Sequence, residues 1–102
     1  MFQAPTPIND GLVLLATQSR TGNAVLPLGK LRAGRLAIQI NCRGHGTLTV
    51  TVEPVDLSFS LECADAKTSS GYNEMHLDAA RPEGSIHIAG PPAVRWGATV
   101  EQ

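Results

Sequence analysis

The chain has 102 residues and a mass of 10.7 kDa, enough for one hydrophobic core and too little for two domains. Its eight Lys and Arg and nine Asp and Glu are scattered, with a formal net charge of −1, so no basic stripe exists to neutralise a run of phosphates and nucleic acid is not an expected partner. The longest apolar run, residues 12–16, falls far short of the roughly 20 residues that span a bilayer, and Asp10 rather than a basic cluster precedes it, so neither a membrane span nor a leader is expected in this sequence.

Residues 1–9, with Pro5 and Pro7, read as an extended N-terminal arm, and residues 10–102 as one domain. A strand is predicted at 12–18 after the turn signal Asn9-Asp10-Gly11, and another at 25–28 after Thr21-Gly22-Asn23. Beyond Ala33-Gly34 three segments alternate strictly. Leu36, Ile38, Ile40 and Cys42 share one face; so do Leu48, Val50 and Val52; so do Leu57, Phe59, Leu61 and Cys63. Shorter alternations follow at 72–78, 85–89 and 94–100, separated by Arg81-Pro82-Glu83-Gly84 and Gly90-Pro91-Pro92. Short half-buried strands at regular spacing, with no window of helical periodicity, predict an all-β antiparallel sandwich of seven to eight strands, jelly-roll-like or Ig-like. The inward set is Leu36, Ile38, Ile40, Leu48, Val50, Val52, Leu57, Phe59, Leu61 and Trp96.

Residues opposite each other in a hairpin share a face, so loop length sets register. A three-residue loop, Gly44-His45-Gly46, pairs Cys42 with Leu48 and Ile40 with Val50, and puts Gly46 where such loops want a left-handed residue. A four-residue loop from Glu53 to Asp56 pairs Val52 with Leu57, Val50 with Phe59 and Leu48 with Leu61. Were all three strands one flat meander, Cys42 and Cys63 would lie about 9 to 10 Å apart, beyond the roughly 7 Å limit for bridged Cα atoms. A bend at Pro54 that carries the 57–63 strand to the facing sheet lets them meet, and a structural Cys42–Cys63 disulfide is expected on that path. Two free thiols remain the alternative for a cytoplasmic chain.

Metal ligation would draw on Cys42, His45, Cys63, His76 and His87. Only one close pair, Cys42 with His45, exists, against the two pairs typical of structural zinc, and His76 and His87 fall out of phase with the apolar faces. No metal or cofactor is expected. Ser69-Ser70-Gly71 reads as loop and not as a nucleophile elbow, because no apolar strand leads into it. Glu62 and Asp65 oppose thiolate formation at Cys63. Carboxylate pairs such as Glu53 with Asp56 or Glu74 with Asp78 cannot be placed across a cleft by sequence, and no catalytic residue is assigned. The polar segment 65–74 reads as the longest connection. Arg43, His45, Lys67 and Tyr72 are expected on one binding surface near it.

The order of these features resembles small secreted or lipid-anchored β-sandwich proteins of actinobacteria, many without an assigned role. An apolar strand ends in Cys42-Arg43-Gly44-His45-Gly46, a valine-rich strand from Leu48 to Val52 follows, then Cys63, and late in the chain Val94-Arg95-Trp96; the similarity spans roughly residues 25–100. It implies an exported, disulfide-bearing domain without catalytic residues. The functional expectation is a non-catalytic extracytoplasmic binding or structural module, monomeric or homodimeric, facing a protein or a cell-envelope component. Alternatives are a carbohydrate-binding module and a small hydrolase or metal-binding domain. Carbohydrate platforms are generally aromatic; of four aromatic residues, Phe59 and Trp96 fall on core faces, which leaves Tyr72 as the expected exposed ring.

Overall fold

A computed structural model describes residues 13–55 and 57–102; the predicted arm at residues 1–9 lies outside them. Among the described residues period-two alternation becomes eight strands: β1 (Val13–Thr21), β2 (Ala24–Leu31), β3 (Gly34–Arg43), β4 (Gly46–Glu53), β5 (Leu57–Cys63), β6 (Ser69–Leu77), β7 (Arg81–Ala89) and β8 (Arg95–Glu101). They nest as one long hairpin folded over itself, with β1 on β8, β2 on β7, β3 on β6 and β4 on β5. Alternate pairs fall in alternate sheets. Sheet 1 has the order β1-β8-β3-β6 and sheet 2 the order β2-β7-β4-β5, all antiparallel. This is the jelly-roll form of the expected sandwich.

The inward faces meet in a single core. Leu36, Ile38 and Ile40 from β3 and Trp96, Ala98 and Val100 from β8 pack against Leu48, Val50 and Val52 from β4 and Ile86 and Ile88 from β7, all buried. Each of the larger side chains gains about 1.5–3 kcal/mol from leaving water. Trp96 is fully enclosed, and its indole Nε1 donates to the Gly22 carbonyl at 3.1 Å, so the one polar atom it carries inside is satisfied. Leu57, Phe59 and Leu61 face inward as expected but are only half-buried. They sit on β5, which among the described strands is an edge of sheet 2 with a neighbour on one side only.

Three expectations about the chain path are corrected. First, β3 and β4 do not form a hairpin; they belong to different sheets. Alternation dictates which face of a strand turns inward, and a change of sheet satisfies that rule as well as a hairpin does. The crossing is made at Gly44-His45-Gly46. Gly44 and Gly46 have φ of 117° and 151°; a Cβ on Gly44 would strike the Ala93 carbonyl oxygen, and one on Gly46 would lie 2.5 Å from the Pro91 ring. Only glycine lets this turn press against residues 91–94.

Second, β5 does not leave for the other sheet at Pro54. It pairs with β4 in the expected register, Val52 with Leu57, Val50 with Phe59 and Leu48 with Leu61, through a turn with a cis Glu53–Pro54 peptide. Third, Ser69-Ser70-Gly71 begins β6 and is not loop, so the polar connection shrinks to residues 64–68. Ser69, Gly71 and Asn73 take the inward positions of an edge strand opposite Cys42, Ile40 and Ile38. Half-buried sites of that kind accept small and polar residues, which erases the hydrophobic period that would have revealed the strand.

Candidate functional site

Cys42 is the penultimate residue of β3 in sheet 1 and Cys63 ends β5 in sheet 2, and a disulfide joins them across the core with Cα atoms 5.7 Å apart. The bridge fixes the surroundings of both residues. Gly44 N donates to the Ala64 carbonyl at 3.0 Å, and Arg43 Nε donates to the Asp65 carbonyl at 3.2 Å. Arg43, His45 and Lys67, three of the four residues expected on one surface, are exposed on segments gathered at this end. Tyr72 stands apart. It lies on β6 opposite Gln39, four residues from Arg43 along β3 and so about 13 Å away, and its hydroxyl donates to Glu74 Oε2 at 2.6 Å.

The outer sides of the two sheets differ in accessibility. On sheet 1, Ala37, Thr99 and Glu101 point away from the core by their register, yet each is only 1% exposed. The middle of that side is closed to a ligand. On sheet 2 the outward row is open and rich in hydroxyls. Thr49 faces Ser60 and Thr51 faces Ser58 across β4 and β5, with Thr51 Oγ1 and Ser58 Oγ 3.3 Å apart.

The same side of sheet 2 holds a groove of about 440 Å³, lined by Val25, Pro27, Gly29, Glu53, Pro54, Glu83, Gly84 and Ser85. Register explains the assembly. Pro27, Ser85 and Glu53 form one row across β2, β7 and β4, and Val25, His87, Thr51 and Ser58 form the next. β2 is an edge strand, which is why it tolerates Pro27. Its register shifts on both sides of Gly29, whose φ is 74°, and such irregularities bend an edge away from its neighbour. Opposite Gly29 lies Gly84, where a Cβ would fall 2.6 Å from Leu31 Cδ1. The backbone therefore sits directly on the core and the surface is hollow there.

Chemically the groove offers the Glu53 and Glu83 carboxylates as acceptors, the Ser85 hydroxyl 3.1 Å from His87 Nε2, and apolar walls from Val25, Pro27 and Pro54. Its volume lies within the usual range for small-molecule sites. None of its residues was expected as a site. The legible signal was Pro27 with Gly29 inside a strand, a mark of an irregular edge; what that edge would meet across β7 and β4 was not readable. His76 is exposed, His87 is half-buried, and both cysteines are engaged in the bridge. Among the described residues no three side chains of metal-ligating type converge, and no helix is long and apolar enough to cross a membrane.

Comparison with known proteins bears on the fold. No protein-family model and no curated protein matches the chain. Solved structures do match. A carbohydrate-binding module, CBM4, superposes with a TM-score of 0.61 at 14% identity over 78% of this chain, which spans 59% of that module's length. A carbohydrate-binding module from Cellvibrio mixtus lichenase 5A, solved in complex with cellotriose, superposes with a TM-score of 0.52 at 12% identity over 89% of this chain and 98% of its own. The jelly roll is their shared fold. A chain of the cowpea mosaic virus top component superposes at 0.50 with 7% identity over 95% of this chain and 87% of its own, so the architecture alone does not decide a function.

Proposed function

We propose that the protein is a non-catalytic, extracytoplasmic module that binds a neutral oligosaccharide in the groove of sheet 2. The observation that carries the reading is the groove itself. It sets carboxylate and hydroxyl groups, which hydrogen-bond to sugar hydroxyls, against proline and valine surfaces, which suit the C–H faces of a pyranose. Among the described residues two carboxylates and no Lys or Arg line it, which disfavours an acidic sugar there. The shared fold with carbohydrate-binding modules supports the ligand class. The disulfide supports an oxidising compartment. Catalysis is not proposed. Ser85 and His87 are paired, but among the described residues no third group orients the other ring nitrogen, as nucleophilic chemistry requires.

Calorimetric titration against a panel of soluble neutral oligosaccharides tests the reading. The wild-type protein binds at least one, and Ser85→Ala and Glu83→Gln each weaken that binding about tenfold, or about 1.4 kcal/mol, without lowering the melting temperature. No binding across the panel, or binding unaltered in both variants, rejects it.

A further inference from the structure

The disulfide end carries a feature of opposite character. Arg43 on β3 and Arg95 on β8 are directly opposed in the ladder and both are exposed. Directly opposed residues share a face, and like charges so placed destabilise a sheet. Arg43 Nε is held by the Asp65 carbonyl, not by a carboxylate, and neither guanidinium has an ion-pair partner among the described residues. Thr21 continues the row on the far side of Arg95. The segments that meet here, residues 43–46, 64–68 and 94–97, carry Arg43, Lys67 and Arg95 against one acid, Asp65. The disulfide lies immediately beneath Arg43 and pins the 64–68 connection beside it.

We propose that Arg43 and Arg95 form an oxyanion-binding subsite for the carboxylate or sulfate groups of an acidic polysaccharide. That the anion belongs to a polysaccharide rests on the proposed function; that it is an oxyanion rests on the arginine pair alone. Guanidinium groups match such anions in a bidentate, charge-assisted way. Two of them held side by side against their own repulsion are a preorganised receptor whose ordering cost is met in folding rather than in binding. The subsite lies at the β3–β4 turn, at the far end of β4 from Glu53 and the groove, about 23 Å along the strand. A polymer anchored here by charge and a neutral sugar held in the groove therefore do not compete for the same residues.

The test is titration of the intact, oxidised protein with polygalacturonate, dextran sulfate and uncharged dextran at low salt. At least one of the two acidic polymers binds, the uncharged one does not bind at this end, and added salt weakens the complex. Polygalacturonate binding alone identifies a carboxylate ligand, and dextran sulfate binding alone a sulfate ligand. Arg43→Gln and Arg95→Gln each lower the affinity at least fivefold, and the double variant loses it, while Ser85→Ala binds the acidic polymer as wild type does. Because the arginines repel, the Arg95→Gln variant melts no lower than wild type, so lost binding cannot be lost folding. In the wild-type protein the Arg43 and Arg95 Nε–H resonances move on titration. Wild-type affinity in the double variant, stationary Nε–H resonances at saturation, or equal loss in Ser85→Ala overturns the proposal.

Discussion

The two ends of the sandwich solve the same problem, turning the chain over an exposed rim of the core, in different ways. At the disulfide end the turn from β3 to β4 changes sheet, is pressed onto residues 91–94, and is tied by a covalent bridge and by backbone bonds to the 64–68 connection. At the groove end the turn from β4 to β5 stays within sheet 2, and the edge strand β2 is irregular on both sides of Gly29. One end is packed and cationic; the other is hollow and lined by carboxylates. Close packing at the first end leaves side chains projecting from a fixed backbone, whereas at the second the absent side chain at Gly29 leaves open space and Gly84 lets the backbone sink onto Leu31.

The comparison breaks most severely at the bridge. Reduction, or replacement of both cysteines by alanine, frees a loop closed across a sequence separation of 21 and lowers stability by about 3 kcal/mol, measured by urea denaturation with and without reductant. Amide exchange rises first at residues 43–46 and 64–65, and the groove amides follow only with global unfolding. Glycine substitutions sharpen the contrast. Gly44→Ala combines a positive φ with a collision against the Ala93 carbonyl, and costs about 3 kcal/mol or more; Gly29→Ala has a positive φ but open space around the new Cβ, and costs about 1 kcal/mol. Equal losses in thermal unfolding would mean that the backbone is equally packed at the two ends. The smallest effect belongs to the arginines, where Arg95→Gln raises stability by about 0.2–1 kcal/mol through relief of cross-strand repulsion.

How much of this was legible follows from what a local pattern encodes. Strict alternation at residues 36–42, 48–52 and 57–63 located β3, β4 and β5 and their inward faces, because each inward side chain is chosen by the core it enters. The β4–β5 register was readable too, since those strands are neighbours in sequence and in space. They are the one consecutive pair that is hydrogen-bonded among the described strands. Every other pairing joins distant segments, and face alternation is silent about partners, which is why Gly44-His45-Gly46 read as a hairpin loop when it is a crossing between sheets. The groove was hidden for the same reason: Pro27, Glu53 and Ser85 are brought together by three strands that no local signal connects. Tyr72 was separated from Arg43 once Ser69-Ser70-Gly71 proved to be strand, since four residues of ladder then stand between them.

The central claim is that a sugar sits on the outer side of sheet 2, and backbone amide mapping by nuclear magnetic resonance tests it most directly. Titration with the neutral oligosaccharide that binds best in calorimetry is expected to shift the amides of Glu53, Glu83, Gly84, Ser85 and His87, and to leave those of Arg43, His45, Lys67 and Tyr72 in place. Shifts confined to the second group, with the groove amides unmoved at saturation, would contradict the account.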